Sequence, residues 1–504
     1  MTDRSFALLA AVCLGSFVVL LDISVVNLAL PALQADLHTG IAGLQWVLDA
    51  YVLCLSAFML SAGALGDRYG RKRTWLAGIA LFMVGSAVCA LAPTLAVLIV
   101  GRVIQGLAGA LVMPGALSII AQGFHEPGRR ARMIGLWAAF APLALVVGPV
   151  LGGVLVDTAG WQSIFLINLP LGALTLVLGW RGIPESADPA HAAFDPAGQT
   201  LSVIWLGALT YGFIAAGDNG WTARGTIAAF AVAVLGLGAF VAAERRAARP
   251  MVPLALFRGP GFAAINLASF VLGFTAFSTV FLFSLLLQFI QGLPPIEAGL
   301  RMMPEFLAEA IVAAASGRLA ARFGERPVMV AGYLVLAVSA LATAFVPAGV
   351  AYPTLATLFV GFGVGMGLAI PATSAAAMGA VARERSGVAS GLVNAARQVG
   401  TATGIALLGT ILITRATTLL ALRLDGFGVA HADAVAHAAI TRDALPAALP
   451  AGLALRPLVA EALAGGFAWA MVAGGAAALV AVVAVATRRR AAASAEREAV
   501  RPAE

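Results

Sequence analysis

The sequence predicts an all-α integral membrane protein, and three observations predict this fold class. Of the 504 residues, 61% are hydrophobic and only 11% are charged, with a mean hydropathy of +0.96, whereas soluble proteins carry about 25% charged residues. The apolar residues form runs of about 18 to 28 residues, long enough to cross the roughly 30 Å hydrocarbon core as helices. A short segment rich in glycine and arginine occurs twice between such runs, which indicates a duplicated helical bundle.

Fourteen apolar runs predict two bundles of six spans with a two-span insert between them. The predicted domains are residues 1–183 for the first bundle, 184–250 for a linker with the insert, 251–487 for the second bundle and 488–504 for a tail. The insert is expected to carry no buried charge and to pack at the side. A hydrophilic outer loop, at about 415–463, either holds a short helix or is partly disordered. The spans, numbered 1 to 14 in chain order, are expected at about 6–30, 44–65, 75–93, 97–122, 133–156, 162–180, 197–216, 224–243, 261–289, 298–317, 327–346, 352–380, 387–413 and 464–486.

The distribution of basic residues predicts the orientation of these spans. If the N-terminus is cytoplasmic, most of the 31 Lys and Arg residues fall in cytoplasmic segments, as they do in other membrane proteins. An even number of spans then places both termini in the cytoplasm of a multi-pass protein of the cytoplasmic membrane. The net charge of +7 therefore reflects orientation, since the basic residues form no continuous stripe with aromatic residues that would indicate nucleic-acid binding.

Motifs for catalysis and for metal binding are absent from the sequence. There is no P-loop, so ATP is not expected as the energy source, and there is neither an HExxH nor a GxSxG motif. Cys13, Cys54 and Cys89 fall within predicted spans without CxxC spacing, which indicates neither a disulfide nor a metal site. We therefore expect no enzyme activity, no cofactor and no metal.

The repeated segment reads GALGDRYGRKR at residues 63–73 and GRLAARFGERP at residues 317–327. Its glycines are expected to let helix backbones approach closely and to permit a sharp turn. The aspartate in the first copy lies among basic residues, which gives a charge cluster that can pair differently in two conformations. A simple cytoplasmic anchor is the alternative, although an anchor needs neither the acid nor the fixed glycine spacing. The candidate residues of this loop are Gly63, Asp67, Arg68, Gly70 and Arg71.

Six charged residues are expected inside predicted spans, where each costs about 2.5 kcal/mol or more at the bilayer centre. Charged residues at such depths mark functional sites in membrane proteins. The alternative for each is an internal salt bridge that fixes helix packing, for which a guanidinium such as that of Arg102 is well suited. The six are Asp22, Asp49, Arg102, Glu305, Glu309 and Arg397.

The acids among these residues differ in what they are expected to do. Glu305 and Glu309 are four residues apart and so lie on one face of span 10. Because neighbouring carboxylates repel each other in a low dielectric, at least one of them is expected to hold a proton. Acidic residues that face an apolar cavity suit an organic cation; Asp49, in WVLDAYVL, is a candidate for this role, with a solvated position near the interface as the alternative. Candidate cavity walls on span 9 are Phe274, Phe277, Phe281 and Phe283.

Span 5 combines a proline with three glycines, namely Gly148, Pro149, Gly152 and Gly153. Proline removes a backbone donor and kinks helices, and small residues let helices pack closely. The sequence therefore predicts a kink beside a close-packing face.

Six segments resemble the major facilitator superfamily, and in particular its fourteen-helix drug:proton antiporter family. The segment GALGDRYGRKR is similar to the loop 2–3 signature of the superfamily. The resemblance covers essentially the whole chain, although Ala321 stands where an aspartate would complete the second loop copy. The other five segments are LLDISVVNLALP at 20–31, LIVGRVIQGLAGALVMP at 98–114, VVGPVLGGVL at 146–155, LLLQFIQGLPPIEAGL at 285–300 and GVASGLVNAARQVGTATGIALLGT at 387–410.

This resemblance implies proton-coupled efflux of hydrophobic, cationic drugs or antibiotics by alternating access. The implied partners are a small-molecule substrate, protons and the lipid bilayer; the energy source is a proton gradient, and the protein is a monomer that binds no nucleic acid. In such a pump the acids exchange protons, Arg102 tunes them, the loop at 63–73 latches one conformation and the span 5 glycines seal against proton leak. Two alternatives are an exporter of a neutral or anionic metabolite and a membrane sensor that binds a ligand without moving it.

Overall fold

The structure is a computed structural model that describes residues 3–124, 126–140, 143–187, 195–247, 250–258, 260–347, 349–381, 386–441 and 455–487. Every regular element within these ranges is a helix. Twelve of the helices are long and apolar enough to cross a membrane, which confirms the predicted fold class. The predicted tail at 488–504 lies outside the described residues.

The helices follow the predicted order of spans. Span 1 includes a 3-10 turn at Asn27–Ala29, and span 9 includes two π-helical segments at Gly273–Phe277 and Leu286–Ile290. In chain order the spans are Asp3–Leu37, Ile41–Tyr69, Arg71–Ala90, Leu95–Gly123, the pair Pro127–Phe140 and Leu143–Ala159 for span 5, Ser163–Gly182, Pro196–Asn219, Arg224–Arg246, Gly261–Ile290, Pro295–Phe323, Glu325–Ala344, Tyr352–Gly379, Ser386–Gly426 and Leu455–Thr487.

Two of the fourteen predicted spans are not among the twelve apolar helices. Span 5 is described as two helices, and the apolar one, Leu143–Ala159, is only 17 residues long. Span 10 is 29 residues long, but charged side chains interrupt its apolar sequence, including Glu297, Arg301, Glu305 and Glu309. The count of fourteen is therefore compatible with the structure, with span 10 as its most charged member.

Much of the predicted outer loop is helical. Span 13 continues to Gly426 and span 14 begins at Leu455, so both helices extend beyond the ends expected at 413 and 464. A short helix, Ala432–Thr441, lies between them, which agrees with the first of the two expectations for this loop. An ion pair between Arg423 and Glu461 joins the two helix extensions.

Each set of six spans packs mainly within itself. In the first half, span 1 packs against spans 4, 5 and 6, and span 4 packs against spans 2 and 3. In the second half, span 12 packs against spans 10 and 11, and span 14 packs against spans 11 and 13. The halves meet mainly at two seams, one between spans 2 and 13 and the other between spans 5 and 10.

Spans 7 and 8 form a hairpin that covers the seam between spans 2 and 13. Gln199 Nε2 of span 7 donates to Ala57 O of span 2 at 3.1 Å. Thr410 Oγ1 of span 13 donates to Phe213 O of span 7 at 2.6 Å. The insert thus contacts both halves. The expectation that it carries no buried charge is wrong, because span 8 continues beyond 243 and buries Glu244.

Hydrogen bonds join the two halves at one end of the bundle. We call the end that carries Asp3 and the hairpin between spans 2 and 3 the terminal face, and the opposite end the distal face. Ser284 and Gln288 of span 9 both donate to Asn27 O of span 1, the latter at 3.3 Å. Ile296 N donates to Asp157 Oδ2 at 3.1 Å, across the seam between spans 5 and 10. The halves are therefore in contact at the distal face.

Span 5 packs against span 1 through Gly148 and Gly152. A Cβ atom at Gly148 would lie 2.4 Å from Ser24 Oγ, and a Cβ atom at Gly152 would lie 3.0 Å from Val25 Cα. Such distances leave no room for a side chain. The close-packing face that the sequence predicts for this segment is therefore present.

The seam between spans 5 and 10 also leaves no room for side chains. A Cβ atom at Gly153 would lie 2.5 Å from Ile296 Cα, and a Cβ atom at Gly299 would lie 2.2 Å from Pro149 O. All four residues are in the distal halves of their helices. The distal end of this seam is therefore closed by backbone against backbone.

We predict that Gly299→Val opens the distal end of this seam. Overpacking typically costs about 1–3 kcal/mol, which lowers the population of the closed seam by about tenfold. The measurement is a spin-label distance between cysteines introduced at Thr158 and Ala351, which are exposed on opposite halves. The native Cys13, Cys54 and Cys89 are buried, so the labels should react at the introduced positions.

The matched control is Gly207→Val on span 7, where a Cβ atom would meet nothing within 4 Å. This control should leave the distance unchanged. An unchanged distance in Gly299→Val as well would show that the seam does not depend on this contact.

Candidate functional site

The first half contains a buried ion pair between Asp22 of span 1 and Arg102 of span 4. Asp22 is 0% exposed and Arg102 is 1% exposed, and Arg102 Nη1 donates to Asp22 Oδ2. Arg102 also donates from Nε to Val47 O at 2.9 Å and from Nη1 to Gln105 Oε1 at 2.8 Å. Its guanidinium carbon lies 4.4 Å from the centre of the Tyr51 ring. The guanidinium is thus surrounded by acceptors and by an aromatic face.

Two amide side chains hold Asp22 in addition to Arg102. Gln105 Nε2 donates to Asp22 Oδ1 at 2.9 Å, and Asn168 Nδ2 of span 6 donates to the same oxygen at 3.0 Å. Both amides also donate to Ser86 Oγ of span 3, at 2.8 and 3.2 Å. Because donors and a guanidinium surround the carboxyl group, this arrangement fits an ionised aspartate. Spans 1, 3, 4 and 6 meet at this network.

Asp49 of span 2 is fully buried. It is 0% exposed, and neither of its carboxyl oxygens has a hydrogen-bond partner among the residues that the structure describes. One turn closer to the distal face, Gln45 Nε2 donates to Ile405 O at 2.9 Å and to Ala406 O at 3.0 Å, both on span 13. Asp49 therefore lies near the seam between spans 2 and 13. The alternative of a solvated position near the interface is wrong, because packed helices exclude water from this carboxyl group.

Glu305 of span 10 is also fully buried. It is 0% exposed, and within the described part of the chain neither of its carboxyl oxygens has a hydrogen-bond partner. Span 12 packs directly on this turn, since a Cβ atom at Gly363 would lie 2.0 Å from Glu305 O. Burying an ionised carboxylate without a donor or counter-ion costs far more than burying the neutral acid. The surroundings of Asp49 and Glu305 therefore suit carboxyl groups that carry a proton in this conformation.

Glu309 and Arg397 are electrostatic neighbours that do not form a direct ion pair. Glu309 is 8% exposed and interacts through space with both Glu305 and Arg397. The ion pairs found among the described residues do not include one between Glu309 and Arg397. Arg397 Nη2 donates to Asn394 Oδ1 at 2.5 Å, and its guanidinium carbon lies 5.5 Å from the Phe277 ring centre. In the second half, Glu309 and Arg397 are therefore close enough to attract each other but are not bonded directly.

The six predicted charges form two groups and one separate residue. Asp22 and Arg102 form the group in the first half, and Asp49 lies alone near the seam between spans 2 and 13. The group in the second half consists of Glu305, Glu309 and Arg397.

Sequence reasoning missed the neutral polar residues around these charges. Gln105 follows Arg102 by three residues, within the segment at 98–114 that resembles a family motif. Asn168 lies in the apolar run of span 6. In the second half, the Tyr333 hydroxyl lies 3.0 Å from Thr373 Oγ1. Tyr333 also interacts electrostatically with Arg397. A polar side chain inside an apolar run is the signal that could have found all of these.

Of the four phenylalanines proposed as cavity walls, three pack inside the second half. Phe274, Phe281 and Phe283 are buried. Phe277 is partly exposed and lies beside Arg397. Only Phe277 is therefore placed to contact a bound molecule in this conformation.

The hairpin between spans 2 and 3 turns at Gly70, and its repeat turns at Gly324. Their φ angles of +105° and +87° lie in a region that favours glycine. The predicted duplication is therefore confirmed at these turns. Asp67 forms an ion pair with Arg71 at 2.7 Å, whereas Arg68 is exposed.

The close approach of helix backbones expected at Gly63 and Gly66 is not found. A Cβ atom at Gly63 would meet nothing within 4 Å, because both glycines border a small cleft beside Trp75. At Gly70, by contrast, a Cβ atom would lie 2.6 Å from Glu185 Oε1. The Glu185 carboxylate accepts hydrogen bonds from backbone N–H groups at the start of span 3. In this conformation only the turn glycine is required sterically.

The fold and the buried charges together define the class of protein, a helical membrane transporter built from two similar halves. The chain belongs to the Major Facilitator Superfamily, whose family profile matches residues 12–405. This superfamily consists of transporters and is not a class of enzymes.

Several relatives with names that describe drug efflux are similar over most of the chain. The Multidrug resistance protein Stp of Mycobacterium tuberculosis is 39% identical over 407 residues, covering 80% of this chain and 75% of the relative. The Methylenomycin A resistance protein of Streptomyces coelicolor is 35% identical, covering 80% of this chain and 85% of the relative. The Drug efflux pump JefA of Mycobacterium tuberculosis is 36% identical, covering 82% of this chain and 81% of the relative.

Solved structures of transporters share the fold at low sequence identity. The crystal structure of a bacterial homolog of the human lysosomal transporter Spinster, in an inward-facing and unoccupied conformation, superposes with a TM-score of 0.67. The two sequences are 18% identical, and the match covers 96% of each chain. The likeness therefore concerns the fold alone.

We predict that Arg102→Met strongly destabilises the protein, because it leaves Asp22 buried without its counter-ion. Breaking a buried pair in this way typically costs about 3–5 kcal/mol. Adding Asp22→Asn should recover most of that loss, since it removes the uncompensated charge. The measurement is the free energy of unfolding in mixed detergent micelles.

The control is Arg301→Met, which breaks the partly exposed pair of Arg301 with Glu297. Surface pairs contribute about 0–1 kcal/mol, so this variant should be nearly as stable as the wild type. Equal losses in Arg102→Met and Arg301→Met would contradict the special role of the buried pair.

Proposed function

We propose that this protein exports hydrophobic, cationic drugs or antibiotics across the cytoplasmic membrane in exchange for protons. The relatives that are named multidrug resistance, antibiotic resistance and drug efflux proteins support efflux of such compounds. The single observation that carries the proton coupling is that Asp49 and Glu305 are buried and that their carboxyl oxygens have no hydrogen-bond partner among the described residues. In this proposal the proton gradient supplies the energy and no cofactor takes part.

In the proposed orientation both termini are cytoplasmic and the distal face is the outer face. The excess of Lys and Arg in the terminal-face loops supports this orientation. The contacts between the halves at the distal face then belong to a conformation that is closed to the outside. The protein works as a monomer, because each chain contains both halves and both seams.

In this proposal the acids have different protonation states in the closed conformation, because different groups surround them. Asp22 is surrounded by donors and by Arg102, so in the closed conformation it is ionised and paired. Asp49 and Glu305 have no hydrogen-bond donor within the described ranges, so in the same conformation they carry protons that arrived from the outside. Release of these protons to the cytoplasm leaves negative charge in an apolar site, which then attracts an organic cation.

The return step reverses this exchange. Protons from the outside neutralise the acids of span 10, and the cation loses its counter-charge and leaves. In this proposal Asp22 is protonated when the distal face opens, which frees Arg102 and so couples the first half to the same gradient. Glu309 takes part as the acid closest to Arg397, and the repulsion between Glu309 and Glu305 ensures that the two are not both ionised.

Two further motifs serve the change of conformation in this proposal. The loop with Gly63, Asp67, Arg68, Gly70 and Arg71 latches one of the two conformations. The close contacts at Gly148, Pro149, Gly152 and Gly153 exclude water from span 5, which prevents protons from leaking through while the distal face is closed.

We predict that Glu305→Gln and Asp49→Asn each reduce proton-driven transport by about tenfold or more, because an amide cannot exchange protons. The measurement is uptake of a fluorescent organic cation into inverted membrane vesicles after a pH gradient is imposed. Asp22→Asn should also lose coupling.

The matched control is Glu297→Gln, since Glu297 lies on the same helix as Glu305 but is partly exposed and paired with Arg301. It should transport at the wild-type rate. Wild-type coupling in Asp49→Asn and Glu305→Gln would remove the roles assigned to these acids, and a wild-type protein that moves no dye would refute the proposed function.

A further inference from the structure

Arg397 is a charged group of span 13, about three turns from the start of the helix, with few described partners. The described contacts of its side chain are one hydrogen bond to Asn394 Oδ1 and the face of the Phe277 ring. A guanidinium has five N–H donors and stays charged in proteins. Arg102, in the other half, directs its donors to Asp22, Val47 O and Gln105. The two arginines therefore differ in how many of their donors have an acceptor among the described residues.

The backbone on which Arg397 stands is fixed against span 9. A Cβ atom at Gly273 would lie 1.9 Å from Arg397 O, and a Cβ atom at Gly400 would lie 1.9 Å from Phe270 O. Span 9 is π-helical from Gly273 to Phe277 at this contact, and such segments occur frequently at functional sites. The π-helical segment ends with Phe277, whose ring meets the guanidinium. Phe277 and Arg397 are therefore held in a defined relation to each other.

The direction of Arg397 follows from the contacts of its neighbours on span 13. Gly391 packs near Leu60 of span 2, and Ala402 belongs to an apolar cluster of the first half. Gly400 faces span 9. At 3.6 residues per turn, Arg397 points between the face that contacts span 2 and the face that contacts span 9. Arg397 is also partly exposed, so part of its side chain is left uncovered in the direction between these two faces.

Three side chains around the uncovered part of Arg397 have complementary chemistry. Arg397 offers N–H donors and positive charge, Phe277 offers a flat apolar face, and Glu309 offers a carboxyl group without a direct bond to the arginine. Glu305 lies one turn away on the same helix as Glu309. A molecule with an anionic oxygen beside an aromatic ring, and with a cationic group at its other end, would satisfy all of them.

We propose that Arg397 binds an anionic oxygen of the exported molecule, so that the protein selects zwitterionic aromatic compounds over compounds that are only cationic. This inference rests on the proposed function and narrows its substrate class. Arg397 is the specificity-determining residue, because a planar guanidinium recognises a carboxylate or an enolate through two parallel hydrogen bonds. The acids of span 10 bind the cationic end, and Phe277 stacks on the ring.

The test uses two dyes that differ only at the group that Arg397 would recognise. A rhodamine with a free carboxylate and the methyl ester of the same rhodamine are titrated against the purified full-length protein in lipid nanodiscs, and affinities are measured by fluorescence anisotropy. The readout is the ratio of the two affinities, which cancels general losses of binding. The wild type should favour the carboxylate by about tenfold or more, as expected for one charge-assisted recognition.

Variants of the binding residue and of a distant arginine then test the assignment. Arg397→Gln should bring the ratio to about one, whereas Arg397→Lys, which keeps the charge without the planar fork, should retain part of the preference. The control is Arg415→Gln, because Arg415 lies on the same helix but is exposed and rests on Trp469; it should keep the wild-type ratio. Asn394→Asp, which gives Arg397 an internal carboxylate, should abolish the preference and serves if Arg397→Gln does not fold.

Two results would overturn the inference. One is a wild type that does not favour the carboxylate, and the other is Arg397→Gln or Asn394→Asp with the wild-type ratio. Proton-driven uptake in inverted vesicles tests the proposed function separately. Absent uptake with an intact affinity ratio would refute the transport proposal alone, and uptake with a ratio near one would refute the role of Arg397 alone.

Discussion

The first half of this protein depends on the burial of one charge, the guanidinium of Arg102. Moving such a group out of water costs several kcal/mol, and the cost is offset only by acceptors held at the right positions. The Asp22 carboxylate, Val47 O and Gln105 Oε1 supply them from spans 1, 2 and 4. The Asn168 amide of span 6 also donates to the carboxylate, and the Ser86 hydroxyl of span 3 accepts from the amides of Gln105 and Asn168. Five of the six spans of this half are therefore positioned by a single charge.

The second half uses its buried charges in the opposite way. Among the described residues, Glu309 and Arg397 attract each other without forming an ion pair, and the carboxyl oxygens of Glu305 have no hydrogen-bond partner. An unsatisfied buried group is costly, so this half changes its energy greatly when a proton or a ligand arrives. The satisfied network can act as a fixed frame, and the unsatisfied group can act as the responsive part. Hydropathy alone would not distinguish the two halves.

The sequence predicted the fold and the list of charged residues well, but it did not predict how the charges are partnered. Apolar runs and positive-φ turns at Gly70 and Gly324 follow from composition and short-range sterics, so they are readable from the chain. The partners of Asp22 come from residues far apart in sequence, such as Asn168, and only the packing of helices brings them together. Gly63 was misjudged for the same reason, because its open surroundings depend on where span 2 stands.

Span 13 connects the seam between the halves to the charges of the second half. Gln45, one turn from Asp49, bonds to Ile405 and Ala406, and Arg397 lies eight residues earlier on the same helix, a rise of about 12 Å. Because span 13 is one continuous helix and is fixed to span 9 at Gly273, a shift at the seam must also move Arg397 relative to its partners. In the proposed mechanism, protonation near the seam and ligand binding at Arg397 are therefore linked through this helix. No series of intermediate contacts is needed for this coupling, because the residues that contact Gln45 and the residue Arg397 belong to the same helix.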